Sequence, residues 1–162
     1  METGGIIVLC IVVLLLVAAV LMIRIFNKLS IKKMVSEGKY VDLDDLFIRR
    51  YEALPKLFEL CGGGGEAENQ RELAIHSERA EERVEHDKLM SEVLAKLRED
   101  NADKLATAEA SEICAELDKL AEDIAKGYEA YNKATKEYED IRRKPSLKWA
   151  VRFFSFEEKP FF

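Results

Sequence analysis

Histidine is the side chain best suited to bind a metal or move a proton near neutral pH, and the sequence contains only two, His76 and His86. At this spacing on one helix they would point about 80° apart. Glu72 and Glu82 each stand one helical turn before a histidine, which is not the Glu-x-x-His spacing of di-iron bundles, and His-Glu-x-x-His is absent. We therefore predict no metal site, because a solvated, charged helix face accounts for both histidines.

Cysteine, serine and carboxylate chemistry has no local signature either. Cys10, Cys61 and Cys114 form no Cys-x-x-Cys pair, which predicts free thiols in a reducing compartment. The carboxylates alternate with Lys and Arg, as in intrahelical ion pairs. The run Gly62–Gly65 lacks a following Gly-Lys-Ser/Thr, so it predicts a hairpin turn rather than a phosphate loop. We predict that the protein is not an enzyme and has no cofactor.

Arg49 and Arg50 are a second candidate for chemistry. Adjacent residues of a helix point about 100° apart, so at most one of the two faces the interior. We expect a structural ion pair, either with Glu59 or with a carboxylate of the Tyr-rich helix near residues 102–144. An anion site is the alternative.

The N-terminal part of the chain predicts a membrane anchor. Ile6 to Ile23 are 18 consecutive apolar residues without a charge or a proline, long enough to cross a bilayer with their apolar neighbours. Acidic Glu2 precedes this run, which is unlike a cleaved signal peptide. Four basic residues follow it: Arg24, Lys28, Lys32 and Lys33. The positive-inside rule places this flank in the cytoplasm and the N-terminus outside.

The charge distribution limits the classes of partner. Residues 66–144 contain 22 acidic and 14 basic residues, and an acidic body argues against binding nucleic acid. The basic flank beside the span favours anionic lipid, although we interpret it chiefly as a topology signal.

Beyond the span, apolar residues recur at helical spacing and no strand pattern occurs. A first stripe contains Leu43, Leu46, Phe47, Leu54, Leu57, Phe58 and Cys61; Ile31 and Val35 are nearly in phase with it, which favours one helix running from the span through residue 60. Residues 66–99 form a second helical segment. A third runs to about Lys144 and contains Ile113, Leu117, Leu120, Ile124, Tyr128, Tyr131, Tyr138 and Ile141. Such stripes must pack on one another, which predicts an antiparallel helical bundle.

The last 17 residues, SLKWAVRFFSFEEKPFF, contain five of the eight phenylalanines and the only tryptophan. Trp149, with Lys148 and Arg152 beside it, is typical of an interfacial membrane segment. A rod of residues 24–61 would nevertheless reach roughly 57 Å, with residues 66–99 returning and residues 102–144 leaving again. We therefore expect this tail to fold back over the bundle, far from the bilayer; a partner-binding patch and membrane contact are the alternatives. The candidate contact residues are Trp149, Phe153, Phe154, Phe156, Pro160, Phe161 and Phe162.

Four motifs, in this order along most of the chain, resemble the LemA family of bacterial membrane proteins. They are Asn27-Lys28-Leu29; residues 43–60, with Arg49, Arg50, Leu54, Pro55, Leu57 and Glu59; residues 122–141, with Ile124, Ala125, Tyr131, Asn132, Ala134, Tyr138 and Ile141; and Phe154, Phe156, Pro160, Phe161 and Phe162. Tyr40 stands where the family usually has Trp, Gly127 and Tyr128 replace an Ala-Arg pair, and the glycine run is an interruption. The resemblance implies an N-terminally anchored helical bundle without established chemistry. It also implies membrane organisation as one role, because some relatives are associated with forming magnetosome membranes.

Together these features predict an all-α, LemA-like protein of long helices. Residues 1–26 are the transmembrane anchor, residues 27–145 a cytosolic antiparallel helical bundle, and residues 146–162 an aromatic tail. We expect a single-pass protein of the bacterial inner membrane that contacts the bilayer through residues 6–26 and serves as a scaffold for an unidentified protein partner or a second copy of itself. The alternative is a membrane-organising or membrane-remodelling protein that acts through oligomerisation and lipid contact.

Overall fold

A computed structural model of the protein describes residues 2–62 and 80–162. This part of the chain contains helices and no strand, so the all-α prediction is confirmed. The helices are α1 (Glu2–Cys61), α2 (Ala80–Asp100), α3 (Ala102–Leu105), α4 (Ala108–Arg142) and α5 (Lys148–Phe153), with a 3₁₀ turn at Pro145–Leu147.

Helix α1 runs without a break through Gly38 and continues past Pro55. It ends at Cys61 because Gly62 adopts φ 83°, a left-handed conformation that glycine adopts without steric cost. The Gly62 N–H donates to the Glu59 carbonyl at 3.1 Å. Gly63 to Gly65 of the predicted hairpin turn lie outside the described residues.

The N-terminal part of α1 is long and apolar enough to cross a membrane, and none of it is buried. Water would strongly disfavour such an exposed apolar surface, whereas a bilayer would cover it. Residues 2–62 and 80–162 therefore contain one candidate membrane-spanning helix, near the N-terminus.

The chain divides into two compact units. The first consists of Met1–Glu37 and Ala134–Lys159; the second consists of Gly38–Lys133 and Pro160–Phe162. Long helices α1 and α4 each contribute to both.

The second unit buries the apolar stripes that the sequence predicts. Its core joins α1, α2 and α4 through Leu43, Phe47, Leu54, Leu57, Phe58, Met90, Leu94, Leu117 and Ile124. Phe47 of α1 meets Tyr128 of α4 with ring centroids 5.8 Å apart, and Tyr40 meets Tyr131 at 5.9 Å. Residue numbers thus rise along α1 as they fall along α4, so these two helices run in opposite directions.

Helix α2 departs from the predicted arrangement. Arg83 pairs with Asp44 and Asp87 pairs with Arg50, so α2 runs in the same direction as α1. The prediction that residues 66–99 return towards the membrane is wrong for residues 80–99, while residues 66–79 lie outside the described part.

The first unit has a small core around Leu29, Tyr138 and Phe156. Beside it, the buried hydroxyls of Ser36 on α1 and Thr135 on α4 share a hydrogen bond of 2.7 Å. Ile31 and Val35, predicted to be in phase with the later buried stripe, are instead exposed. The eight positions from Val35 to Leu43 turn an α-helix by about 80°, which moves them off the packed face.

Candidate functional site

Residues 146–162 form the candidate site. After α4 ends at Arg142, Pro145 begins a 3₁₀ turn that leads directly into α5, since proline favours the first positions of a helix. Beyond α5, Ser155 adopts φ 52° and the Phe156 N–H donates to the Val151 carbonyl at 3.0 Å. The segment after Phe156 is not helical.

The start of this segment packs beside the end of the apolar run. Phe154 and Phe156 place their rings 4.9 and 5.9 Å from that of Phe26, three residues after Ile23. The expectation that the tail lies far from the apolar run is therefore wrong. It assumed two reversals of direction, with residues 66–99 returning and residues 102–144 leaving again. In the first unit α4 instead runs back along α1, because Lys32 pairs with Glu137 at 2.6 Å while Ser36, further along α1, bonds to Thr135, earlier on α4.

A buried carboxylate holds the segment in the first unit. Glu139 is only 2% exposed and accepts hydrogen bonds from Arg142, Arg143 and the backbone N–H of Lys159. Burial alone would raise the pKa of Glu139, but these donors hold that pKa below its usual value. The Tyr138 hydroxyl adds a hydrogen bond to the Glu157 carbonyl at 2.7 Å, and burial raises the pKa of Tyr138 to about 12. Glu139 is thus ionised at neutral pH and Tyr138 is neutral.

The last three residues are held in the second unit by the Tyr131-Asn132 pair. The Tyr131 hydroxyl donates to the Pro160 carbonyl at 2.8 Å. The Asn132 side chain both accepts from the Phe162 N–H and donates to its backbone oxygen, each at 2.9 Å. The Phe162 ring packs against Tyr131 at 4.9 Å. The sequence placed Tyr131 on a packed seam but did not predict that it holds the last three residues. The polar Asn132 next to this seam could have indicated such a contact.

The candidate contact residues divide into two groups. Phe154, Phe156 and Phe162 pack against other parts of the chain, whereas Trp149, Phe153, Pro160 and Phe161 are exposed. On α5, Trp149 is 50% and Phe153 is 68% exposed. A groove of about 400 Å³ is lined by four cations, one acidic residue, a serine and two apolar side chains: Arg142, Arg143, Lys148, Arg152, Glu157, Ser155, Val151 and Phe156.

Of the four basic residues that follow the apolar run, two form ion pairs and two do not. Lys32 pairs with Glu137 at 2.6 Å and Lys33 with Glu37 at 3.8 Å. Arg24 and Lys28 are exposed and form no ion pair with any residue that the structure describes. A further groove of about 540 Å³ lies along the apolar run, with Phe154 on one side and a wall made of Leu15, Ala18, Ala19, Met22, Ile23 and Phe26.

A polar cluster in the second unit corrects the predicted arginine pair. Arg50 points inward as an ion-pair partner, but it pairs with Asp87 of α2 and not with Glu59 or α4. Arg50 also donates to the Ser91 hydroxyl at 2.9 Å, which itself donates to the Asp87 carbonyl at 2.8 Å. Burial raises the pKa of Asp87 although Arg50 opposes the change. Since the Ser91 proton is already committed, this cluster does not provide an activated nucleophile.

Two tyrosines border this cluster. Burial, and secondarily the charge of Asp87, raise the pKa of Tyr51 to about 12; the pKa of Tyr128 is raised for the same reasons. Neither hydroxyl has a hydrogen-bond partner among residues 2–62 and 80–162. Both tyrosines are therefore neutral packing residues at physiological pH.

His86 is partly buried on α2, and His76 lies outside the described residues. Cys10, Cys61 and Cys114 are all free thiols, as predicted. In the described part of the chain, no group of three or more His, Cys, Asp or Glu side chains is placed to hold a metal ion.

Comparison with known proteins finds no match, since no family model, no curated protein and no solved structure is similar to the chain. The LemA resemblance therefore stays a prediction drawn from its four motifs.

Proposed function

We propose that the chain is a LemA-like, membrane-anchored scaffold of the bacterial inner membrane, without catalytic activity, whose helices beyond the span form a cytoplasmic helical bundle that binds a protein partner. The positions of Arg24 and Lys28 after the apolar run support the cytoplasmic orientation. The Arg50–Asp87 cluster supports the absence of catalysis, because the Ser91 hydroxyl already donates to the Asp87 carbonyl and the Asp87 carboxylate is paired with Arg50.

The observation that carries this proposal is a set of exposed apolar side chains on α1 just beyond the membrane segment. Ile31, Met34 and Val35 lie on one face of the helix at i, i+3 and i+4 spacing and are 59%, 69% and 46% exposed. In the second unit, Val41 and Ile48 are also exposed. Clustered apolar exposure of this kind marks protein contacts, and a partner helix laid along α1 would cover it.

Crosslinking in living cells tests this proposal. A photoreactive amino acid at Met34 should yield discrete crosslinked products, and Ile31→Gln with Val35→Gln in the same chain should lower their yield severalfold. The control places the same probe at Glu129, an exposed position on α4, where we expect background yield. A product of twice the chain mass would identify the partner as a second copy.

Equal yields at Met34 and Glu129, or a Met34 product that is insensitive to the two glutamine substitutions, would contradict the proposal.

The exposed Trp149 and Phe153 favour the second candidate function, membrane organisation through lipid contact.

A further inference from the structure

We propose that α5, together with the basic residues that follow the apolar run, forms a binding surface for anionic lipid headgroups. The inference rests on the membrane anchorage in the proposed function, but it requires no protein partner. The expected ligand is a phospholipid, whose anionic phosphate headgroup meets the cations and whose acyl chain meets the apolar side chains.

The position of α5 is the first reason. The aromatic contact between Phe154 and Phe26 is 4.9 Å between ring centroids, and Phe26 is three residues from the end of the 18-residue apolar run. When that run spans a bilayer, residues one turn beyond it lie at the headgroup level. Helix α5, which ends at Phe153, is thereby attached to the anchor at this level.

The pattern of charge pairing is the second reason. Four cations of the first unit are neutralised: Lys32 by Glu137, Lys33 by Glu37, and Arg142 and Arg143 by Glu139 and Glu158. Lys136 and Lys144 are exposed and unpaired among the described residues. In the same part of the chain, Arg24, Lys28, Lys148 and Arg152 are exposed and form no ion pair. Four cations without counterions beside the anchor are complementary to an anionic membrane surface.

The exposed faces of α5 are the third reason. Lys148 and Arg152 lie one turn apart, as do Trp149 and Phe153, and the two pairs lie about 100° from each other around the helix. Trp149 is 50% and Phe153 is 68% exposed. Aromatic rings beside basic side chains are typical of a helix in the membrane interface, where the rings enter the acyl boundary and the cations meet phosphates.

The structure also prepares this short helix for binding. Six residues are too few for a stable isolated helix. Here the buried Ala150 and Phe156 hold α5 in place, so little ordering free energy is lost when its exposed face meets lipid. The groove along Leu15, Met22, Phe26 and Phe154 contributes an apolar wall for an acyl chain.

Fluorescence of the full chain in lipid nanodiscs tests the proposal, because Trp149 is the only tryptophan. Brominated phosphatidylcholine should quench Trp149 when phosphatidylglycerol is also present, and much less in phosphatidylcholine alone. Lys148→Gln with Arg152→Gln should lower the ratio of lipid-bound to free α5 roughly 25-fold, since each cation near an anionic surface contributes about fivefold. Phe153→Ala should weaken quenching in both lipids.

The matched control is Lys96→Gln with Lys119→Gln, which removes two exposed cations of α2 and α4 and should leave quenching unchanged. Absence of quenching in phosphatidylglycerol, quenching that does not depend on the anionic lipid, or an equal effect of both double variants would each overturn the proposal. Because only purified protein and lipid are present, this result is independent of the crosslinks at Met34.

Discussion

At the scale of single residues, Glu139 shows what a charge pattern cannot predict. The sequence indicates carboxylates in exposed intrahelical pairs, and Glu122 with Lys126 fits that description. Glu139 also has basic neighbours on its own helix, the arginines at i+3 and i+4, yet it is buried. Its third donor, the Lys159 N–H, comes from a segment whose position depends on tertiary packing.

Glu139→Gln should destabilise the protein by about 2 kcal/mol, because hydrogen bonds to a charged group are lost. The folded-state pKa of Glu139 lies below its usual 4.5, so this stabilisation is complete above about pH 4.5 and is lost as pH falls through the lower folded value. Thermal unfolding in detergent between acidic and neutral pH measures it. The raised pKa of Asp87 acts in the opposite direction, so the difference between wild type and variant isolates Glu139.

In that experiment, Glu129→Gln is the control, since Glu129 is exposed on the same helix and its substitution should shift the unfolding temperature little at any pH. A Glu139→Gln penalty that persists unchanged at the acidic end would refute the assigned hydrogen bonds.

The ion pair predicted from the sequence for the two adjacent arginines is partly correct at Arg50. Helix geometry correctly allowed only one of two adjacent arginines to face inward. It could not choose Asp87, because the direction of α2 relative to α1 was misjudged.

Arg50→Met should cost about 3 kcal/mol, because the buried Asp87 carboxylate would lose its counterion. Arg49→Met, on the exposed side of α1, should change the free energy of unfolding by less than about 0.5 kcal/mol. Combining Arg50→Met with Asp87→Leu should recover most of the loss. If the two arginine variants unfold at the same denaturant concentration, Arg50 does not form the assigned ion pair.

At the scale of elements, apolar periodicity predicted the packed faces well. Leu43, Leu57, Leu117 and Ile124 are all 2% exposed or less, because a stripe at helical spacing must face a neighbouring helix whatever its direction. Apolar periodicity could not predict the direction of each helix or the positions at which two helices approach each other closely. Gly127, which the sequence indicated only as a departure from a family motif, lies where α4 packs closely on Leu43.

Gly127→Ala and Gly38→Ala form a matched test of this approach. A Cβ at residue 127 would lie 2.8 Å from Leu43 Cδ1, whereas one at residue 38 meets nothing within 4 Å. Gly38→Ala should stabilise the protein by up to about 1 kcal/mol through helix propensity. Gly127→Ala should destabilise it by roughly 1 kcal/mol net, because overpacking outweighs the same gain.

Chemical denaturation of both variants in the same detergent gives the comparison. Equal stabilisation by the two alanines would mean that α4 does not pack closely on Leu43.

At the scale of the whole molecule, the sequence predicted the candidate membrane-spanning helix and the all-helical composition, since a long uncharged apolar run and helical periodicity are local signals. No local signal in the sequence predicts the position of the tail. It depends on the direction of each helix, so one wrong direction for α2 moved the expected tail away from the apolar run. The contact of Phe154 with Phe26 is the finding that corrects it.

The central claim is that α1 crosses the membrane with all later helices on the cytoplasmic side. Cysteine accessibility tests it most directly, in a chain whose three native cysteines are replaced by serine or alanine. A membrane-impermeant maleimide added to intact cells should label Thr3→Cys, and should label Glu129→Cys only after the membrane is permeabilised. Labelling of Glu129→Cys in intact cells, with Thr3→Cys protected, would contradict the account.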